Sequence, residues 1–325
     1  MTSSPESNSA PGLANSSISG GVDTYPKLSS LSKAELTRRL QGPGIKLQHP
    51  PFVTHIQSPI PIVAEGLFTL YADYQVQPLE SFADFQVSVQ YGRRLPKPLC
   101  VFKTDRLQPF TPLAAGEAFA LLEWGMNWCI TGYSHTWITI HSAVLERGGR
   151  ALILPAPPGS GKSTLCAALL LNGWRLLSDE MALLDPATGH ITPAPRPVSL
   201  KNQSIEIVRN LSPQVVIGPV AHDTMKGTVA HMRLPGECLQ RAHETALPAW
   251  VVFPKYVKDA SASLVARGKA ASFVQLAENS FNQSSQGKRG FEVLSALIDR
   301  SDCYDFTYSR IDDALATFAH LPLPA

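Results

Sequence analysis

Residues 150–180 read RALILPAPPGSGKSTLCAALLLNGWRLLSDE, and they carry the strongest structural signal in the sequence. Its first residues are apolar and suit a buried strand, whereas residues 155–161 are dense in Pro and Gly and suit a loop. An apolar helix is predicted from Lys162, followed by a second buried strand that ends in the polar residues 178–180. Strand, loop, helix, strand and acid follow one another in this order in a nucleotide-binding βαβ unit.

The loop carries residue types that bind phosphate. Gly159 and Gly161 permit the backbone angles that turn N–H groups inward around phosphate oxygens. We expect Lys162 to place its ammonium group on the β- and γ-phosphates and the Ser163 hydroxyl to bind Mg²⁺. The usual P-loop pattern has Gly where this chain has Ala156. The residues predicted to bind the nucleotide are Ala156, Pro157, Pro158, Gly159, Ser160, Gly161, Lys162, Ser163 and Thr164.

Composition restricts the class of protein. The 325 residues allow one large domain or two moderate ones, and a net charge of +2 without a long basic run argues against a nucleic-acid partner. The five cysteines are dispersed without zinc-site spacing, which predicts free thiols in a reducing compartment. The N-terminus lacks a secretory signal, and no apolar stretch approaches the roughly 18 residues of a membrane span. The sequence therefore predicts a cytoplasmic protein with no membrane partner.

Two domains are predicted after a disordered segment. Residues 1–28 are rich in Ser, Gly, Asn and Pro and are expected to be disordered. Residues 29–108 predict a small α+β lobe with many short strand-like runs, and residues 109–325 predict the P-loop domain. A long helix is expected over Leu113–Ile130. The polar stretch Lys226–His231 is expected to be an ordered loop that closes over nucleotide or substrate.

Charged residues gather around the predicted loop. Asp179 and Glu180 are adjacent, so on an extended strand one carboxylate can face the reacting phosphate while the other faces the metal or solvent. His141 lies in a strand-like run of the hairpin that leads into the loop. Downstream, Arg196 and Lys201 are candidates for stabilising charge on a transferring phosphoryl group, although a surface role is equally compatible with the pattern.

On these residues the chain resembles the HPr kinase/phosphorylase family. The resemblance is carried by His141, by the loop 156–163 and by RLLSDE at 175–180. It is most similar to the HPr-kinase-related, kinase A-like branch, through RPVSLKN from Arg196 and KGTVAH from Lys226. The resemblance implies an α/β fold with a P-loop core of the HPr kinase / PEP carboxykinase-like type, and a homo-oligomer. The family's C-terminal Pro/Gly/Arg-rich signature is not found in convincing form.

The resemblance also implies roles for single residues. Asp179 matches the family's catalytic carboxylate, and His141 matches the residue that contacts and tunes it. Lys162 and Ser163 match the phosphate and Mg²⁺ positions. Glu180 stands where the family has a second Asp, and we expect it to share the metal with Ser163.

The sequence therefore predicts an ATP- and Mg²⁺-dependent kinase that transfers the γ-phosphoryl group to a Ser or Thr hydroxyl of a small protein or peptide. Asp179, His141, Lys162, Arg196 and Lys201 are the expected catalytic residues. Two alternatives stay open: a small-molecule kinase acting on free serine or a related alcohol, and a non-catalytic module in which bound nucleotide orders nearby loops. The identity of the acceptor is left open because function resides in the site and not in the fold.

Overall fold

The structure, a computed structural model, describes residues 25–92, 97–105, 107–157 and 159–322. These residues form a mixed α/β protein with three sheets, two of which contain both parallel and antiparallel strand pairs. In the described part of the chain, no helix combines the length and the hydropathy that crossing a bilayer requires.

The first lobe contains a six-stranded sheet with three helices. Its strands are β1 Ile45–His49, β2 Phe52–Gln57, β3 Gln75–Gln77, β4 Phe85–Tyr91, β5 Leu99–Thr104 and β6 Leu113–Ala114. Its helices are α1 Lys33–Gln41, α2 Pro61–Leu70 and α3 Ala118–Tyr133, with short 3₁₀ turns at Leu28–Ser30 and Ala115–Glu117. The strand order is β3-β1-β2-β4-β5-β6, and β2 and β4 form a parallel pair.

Helix α1 begins where the sequence indicates. The Ser32 hydroxyl caps it by accepting a hydrogen bond from the backbone N–H of Glu35 at 3.1 Å. The Glu35 carboxylate pairs with Arg38 and Arg39 one turn further along the helix. The spacing therefore predicts the cap correctly, while the acid stabilises the following turn.

The first lobe extends beyond residues 29–108, the bounds predicted from the sequence, at both ends. Helix α3 starts at Ala118, not at Leu113, because residues 113–114 pair with β5 as strand β6. Residues on both sides of the predicted boundary at 108/109 share one hydrophobic core. Residues 1–24 of the expected disordered segment lie outside the described residues, and Leu28 is already fully buried.

The second lobe supplies the sheet that positions the site. Its strands are β7 Ile138–Arg147, β8 Arg150–Pro155, β9 Arg175–Ser178, β10 Met181–Leu184, β11 Ile191–Thr192, β15 Leu247–Tyr256, β16 Ser263–Ala266 and β17 Asp302–Tyr308. The order is β11-β10-β7-β8-β15-β17-β16, with β9 also on β7. Strands β8, β15 and β17 are parallel, so their carboxyl ends meet at one edge.

The predicted hairpin into the loop is confirmed. Strands β7 and β8 are antiparallel, and Gly148 and Gly149 form the turn with φ of +61° and +76°. Two positive φ values in a two-residue turn are the pattern that glycine adopts without strain. Strand β9 is also antiparallel to β7, so β8, helix α4 (Lys162–Leu171) and β9 form the predicted strand–helix–strand unit with β7 between its strands.

Helices cover both faces of this sheet. The helices of the second lobe are α4 Lys162–Leu171, α5 Gln203–Leu211, α6 Gly236–Gln240, α7 Lys269–Glu278, α8 Gly287–Arg300 and α9 Ile311–Ala319, with a 3₁₀ turn at Ser284–Gln286. One face packs against α4, α5 and α9, and the other packs against α7 and α8. The apolar residues of β8 alternate between these two cores, which explains why its sequence is apolar at consecutive positions.

A small third sheet corrects one expectation. It consists of β12 Val198–Lys201, β13 Ala221–Thr224 and β14 Gly227–Met232 in the order β12-β14-β13. The stretch Lys226–His231, predicted to be a loop, is the end of a turn followed by strand β14. Pairing of β14 with β12 stabilises it as a strand, and β12 lies far away in the sequence.

Candidate active site

The loop after β8 has the backbone that its glycines predict. Gly159 and Gly161 have φ values of +87° and +85°, in the left-handed region that favours glycine. Gly161 is the N-cap of α4, so the N–H groups of the first helical turn face the loop. Ala156 is buried at the end of the strand, and Pro158 lies outside the described residues.

Lys162 and Ser163 both contact the acid that directly follows β9. The Lys162 ammonium donates a hydrogen bond to the backbone carbonyl of Asp179 at 3.2 Å. The Ser163 hydroxyl donates to Oδ2 of the same residue at 3.4 Å. The next residue, Thr164, is half-buried in α4. The structure therefore brings together the loop lysine, the loop serine and the strand-end acid that the sequence singles out.

Asp179 is buried with half of its carboxylate unsatisfied. Only 3% of the residue is exposed, and Oδ2 also accepts a hydrogen bond from the backbone N–H of Ser199 at 2.9 Å. Oδ1 is buried and has no hydrogen-bond partner among the described residues. Burial raises the pKa of Asp179 to about 6, although the nearby Lys162 ammonium opposes this shift. A buried carboxylate oxygen without a partner beside a glycine-rich loop is suited to binding a cation or a hydroxyl.

Glu180 contacts the histidine that the sequence assigned to Asp179. His141 Nδ1 lies 3.9 Å from Glu180 Oε2, so the expected pairing of His141 with Asp179 is replaced by one with its neighbour. Burial, together with Lys162, lowers the pKa of His141 to about 4. Burial opposes ionisation of Glu180, but the surrounding cations, Lys162 first and Lys201 second, hold the pKa of that carboxyl below its ordinary value.

Two lysines approach this pair of acids from the third sheet. Lys201 ends strand β12, and Lys226 lies at the turn between β13 and β14. The Lys226 ammonium lies 4.8 Å from the centre of the Trp124 ring on α3, and that ring lines the same pocket as Asp179 and Glu180. From the sequence, Lys201 is a catalytic candidate and Lys226 belongs to a loop expected to close over the ligand; the place of Lys226 at a hairpin tip depends on the pairing of β14.

Arg196 occupies a different environment from the one expected. Its guanidinium forms an ion pair with the Glu123 carboxylate of α3 and donates to Asn127 Oδ1 at 2.6 Å. Tyr71 also donates to Glu123, at 2.6 Å, and the group is buried. Arg196 lines the pocket beside Asp179, but its ionic partner is on α3. The structure thus pairs with α3 a cation that the sequence makes a candidate for stabilising a transferring phosphoryl group.

The site fits a magnesium ion shared with phosphate. No cluster of three or more His, Cys, Asp or Glu residues able to hold a metal occurs in the described ranges. Mg²⁺ characteristically takes one or two protein oxygens and completes its shell with phosphates and water. The Ser163 hydroxyl and the unsatisfied Asp179 oxygen provide such a partial set.

Comparisons with known proteins do not identify a family. No family model matches this chain, and no curated protein matches it.

Proposed function

We propose that this protein is an ATP- and Mg²⁺-dependent phosphotransferase with a P-loop core of the HPr kinase type. The unsatisfied oxygen of buried Asp179, beside Ser163 and Lys162, carries the proposal. Burying a carboxylate without a full set of partners is costly, and a ligand that neutralises it removes this cost. A metal–phosphate complex bound between Asp179 and Ser163 would explain why this acid lies in contact with the loop serine.

The loop end of the site would hold the triphosphate. Lys162 and the backbone N–H groups of the loop bind the β- and γ-phosphates, and Ser163 with Asp179 would hold Mg²⁺. The ion, when bound, neutralises phosphate charge and fixes the γ-phosphoryl group for in-line transfer. This assigns Asp179 to the metal, the role expected for Glu180 from the sequence.

Glu180 is better suited than Asp179 to accept the proton of the attacking hydroxyl. Its side chain is 28% exposed, whereas Asp179 is almost fully enclosed, so an acceptor molecule can reach Glu180. The lowered pKa of Glu180 keeps its carboxylate ionised near neutral pH but makes it a weaker base than Asp179, so the assignment depends on the exposure of Glu180 to the acceptor. His141, whose pKa is lowered to about 4, is neutral there and acts by orienting Glu180.

The remaining cations complete the proposal. Lys201 and Lys226 contribute positive charge beside Glu180, where the phosphoryl group passes to the acceptor. The acceptor that we propose is a Ser or Thr hydroxyl of a small protein or peptide. We propose that the chain acts on it in the cytoplasm as a homo-oligomer. A small alcohol such as free serine is the competing acceptor.

The direct test uses labelled ATP with Mg²⁺ and three acceptors: free L-serine, free L-threonine and a serine-containing peptide library. We expect Lys162→Ala to abolish nucleotide binding and Asp179→Asn to raise the Mg²⁺ concentration needed for transfer. Glu180→Gln should bind ATP normally and slow transfer by on the order of 10²–10⁴. Glu292→Gln, on the exposed side of α8, is the matched control. If the unaltered protein fails to bind ATP, the function is wrong; if Glu180→Gln transfers normally, the base assignment is wrong.

A further inference from the structure

The strand that leads into the phosphate loop, β8, has a neighbouring strand on each side, and the two acids lie on one of these sides. Asp179 and Glu180 follow β9, which pairs with β7 on one side of β8. The other neighbour of β8 is β15, which is parallel to it and is followed by parallel β17. If the γ-phosphate points to the acids, the nucleoside end of the triphosphate points to the carboxyl ends of β15 and β17.

The end of β15 is hydrogen-bonded directly to the loop. The backbone N–H of Tyr256 donates a hydrogen bond to the carbonyl of Ser160 at 2.9 Å. The hydroxyl of Tyr308, at the end of β17, donates to the carbonyl of Gly161 at 2.9 Å. A Cβ on Gly161 would lie 2.4 Å from that hydroxyl and 3.1 Å from the Tyr256 Cβ. The loop and the two tyrosines therefore form one closely packed unit.

The two rings differ in what they offer to a ligand. Tyr308 is buried, and its ring stacks on Phe306 in the core. Tyr256 is 48% exposed and meets Tyr308 edge-on, with the ring centres 6.0 Å apart. A buried aromatic pair thus supports an exposed ring beside the loop, on the side away from the acids. An exposed aromatic ring held in this way is a surface on which a planar base can stack.

We propose that Tyr256 is the platform for the aromatic base of the bound nucleotide. The proposal rests on the proposed function, since it assigns the nucleoside half of a triphosphate whose phosphates bind the loop. It predicts that different residues bind the two parts of the nucleotide: Lys162 binds the phosphate chain, and Tyr256 binds the base.

Calorimetric titration of the full-length protein with ATP and with inorganic tripolyphosphate, both with Mg²⁺, tests this division. Tyr256→Leu keeps apolar bulk against Tyr308 but removes the aromatic face. We expect it to raise the Kd for ATP roughly 5- to 150-fold, the range of base–aromatic stacking, and to leave tripolyphosphate binding unchanged. Tyr256→Phe should restore ATP binding. Phe291→Leu removes an equally exposed ring that pairs with Phe273, and should bind both ligands normally.

The outcomes separate this inference from the proposed function. Lys162→Ala should lose both ligands, and its failure to do so counts against the phosphate loop itself. If Lys162→Ala loses both ligands while Tyr256→Leu binds ATP as tightly as the unaltered protein, the base lies elsewhere and the assignment of Tyr256 is wrong. An equal loss of ATP and tripolyphosphate in Tyr256→Leu also overturns it, because that result indicates a disturbed loop.

Discussion

Arg196 precedes the short strand β12 and Lys201 is its last residue, but the two cations have different surroundings. The Arg196 guanidinium is buried against Glu123 and Asn127 of α3. The Lys201 ammonium contributes to the positive field at Glu180. From the sequence the two cations are equivalent candidates, because their spacing from the loop does not reveal which of them meets a carboxylate on a distant helix.

Arg196→Met should therefore act on stability. The change leaves Glu123 buried without its cation, which is expected to lower the free energy of unfolding by about 3–5 kcal/mol. Urea denaturation followed by circular dichroism measures this. The double variant Arg196→Met/Glu123→Gln should recover part of the loss, because it removes the stranded charge.

Lys201→Met supplies the comparison for that experiment. Lys201 is partly exposed, so its removal should change the free energy of unfolding by no more than about 0.5 kcal/mol while slowing phosphoryl transfer. Arg196→Met with unchanged stability and lost transfer would instead support the catalytic role that the sequence suggests for Arg196.

The partner of His141 shows where residue-level prediction stops. The contact between Ser163 and Asp179 follows from the order strand, loop, helix, strand, which brings the loop and the acid to one edge. The His141–Glu180 contact does not follow from it. Residues 179 and 180 lie between β9 and β10 and belong to neither strand, so strict alternation of side chains cannot be assumed for them.

At the scale of elements, long periodic segments are predicted better than short apolar ones. The hairpin into the loop and helix α4 are found where the sequence places them. Helix α2 falls inside a stretch that reads as short strand-like runs, because apolar residues occur throughout it. Its helical form is stabilised by packing on α3, where Gly66 lets the Phe119 ring approach its backbone. That contact is not visible in the local pattern.

The turn before β14 yields a prediction for the element that carries Lys226. Gly227 has a φ of +82°, and a Cβ there would lie 2.3 Å from the Asn202 side-chain oxygen. That oxygen accepts a hydrogen bond from the Thr228 N–H and so joins the turn to the end of β12. Gly227→Ala should strain the backbone, break this junction and displace Lys226. We expect a lower free energy of unfolding and slower transfer with nearly unchanged ATP affinity.

Gly148→Ala is the matched control for that strain. Gly148 also has a positive φ, of +61°, but a Cβ there meets nothing within 4 Å. The control should therefore lose only the roughly 1–2 kcal/mol of left-handed backbone strain. Gly227→Ala should lose more, in parallel urea titrations, and should alone affect transfer. Equal losses in the two variants would show that Asn202 simply moves aside.

At the scale of the whole molecule, the two lobes share buried residues. Met181 and Leu183 of β10 belong to the same hydrophobic core as the first sheet and α3. His49, at the end of β1, is buried there, with Nε2 2.6 Å from the Thr54 hydroxyl. Its Nδ1 is buried without a hydrogen-bond partner in the described chain. The acid stability of the whole molecule therefore depends on keeping this ring neutral.

Burial, helped by the charge of Arg196, lowers the pKa of His49 from 6.5 to about 3. Between these two pH values the unfolded chain binds a proton that the native protein does not bind. His49 thus contributes stability that is present above pH 6.5 and is lost as the pH falls, by about 1.4 kcal/mol per pH unit. His231, also buried with a lowered pKa, adds to the same trend.

His49→Gln should make the protein less sensitive to acid even where it lowers stability at neutral pH. Urea denaturation at pH 7, 6, 5 and 4.5 gives the slope of the unfolding free energy against pH, which should flatten by about 1.4 kcal/mol per pH unit below pH 6. His55→Gln makes the same substitution at a partly exposed histidine on the adjacent strand and is the control. Loss of packing shifts the whole plot of unfolding free energy against pH without changing its slope. An unchanged slope in His49→Gln would therefore mean that protonation of other groups causes the sensitivity to acid.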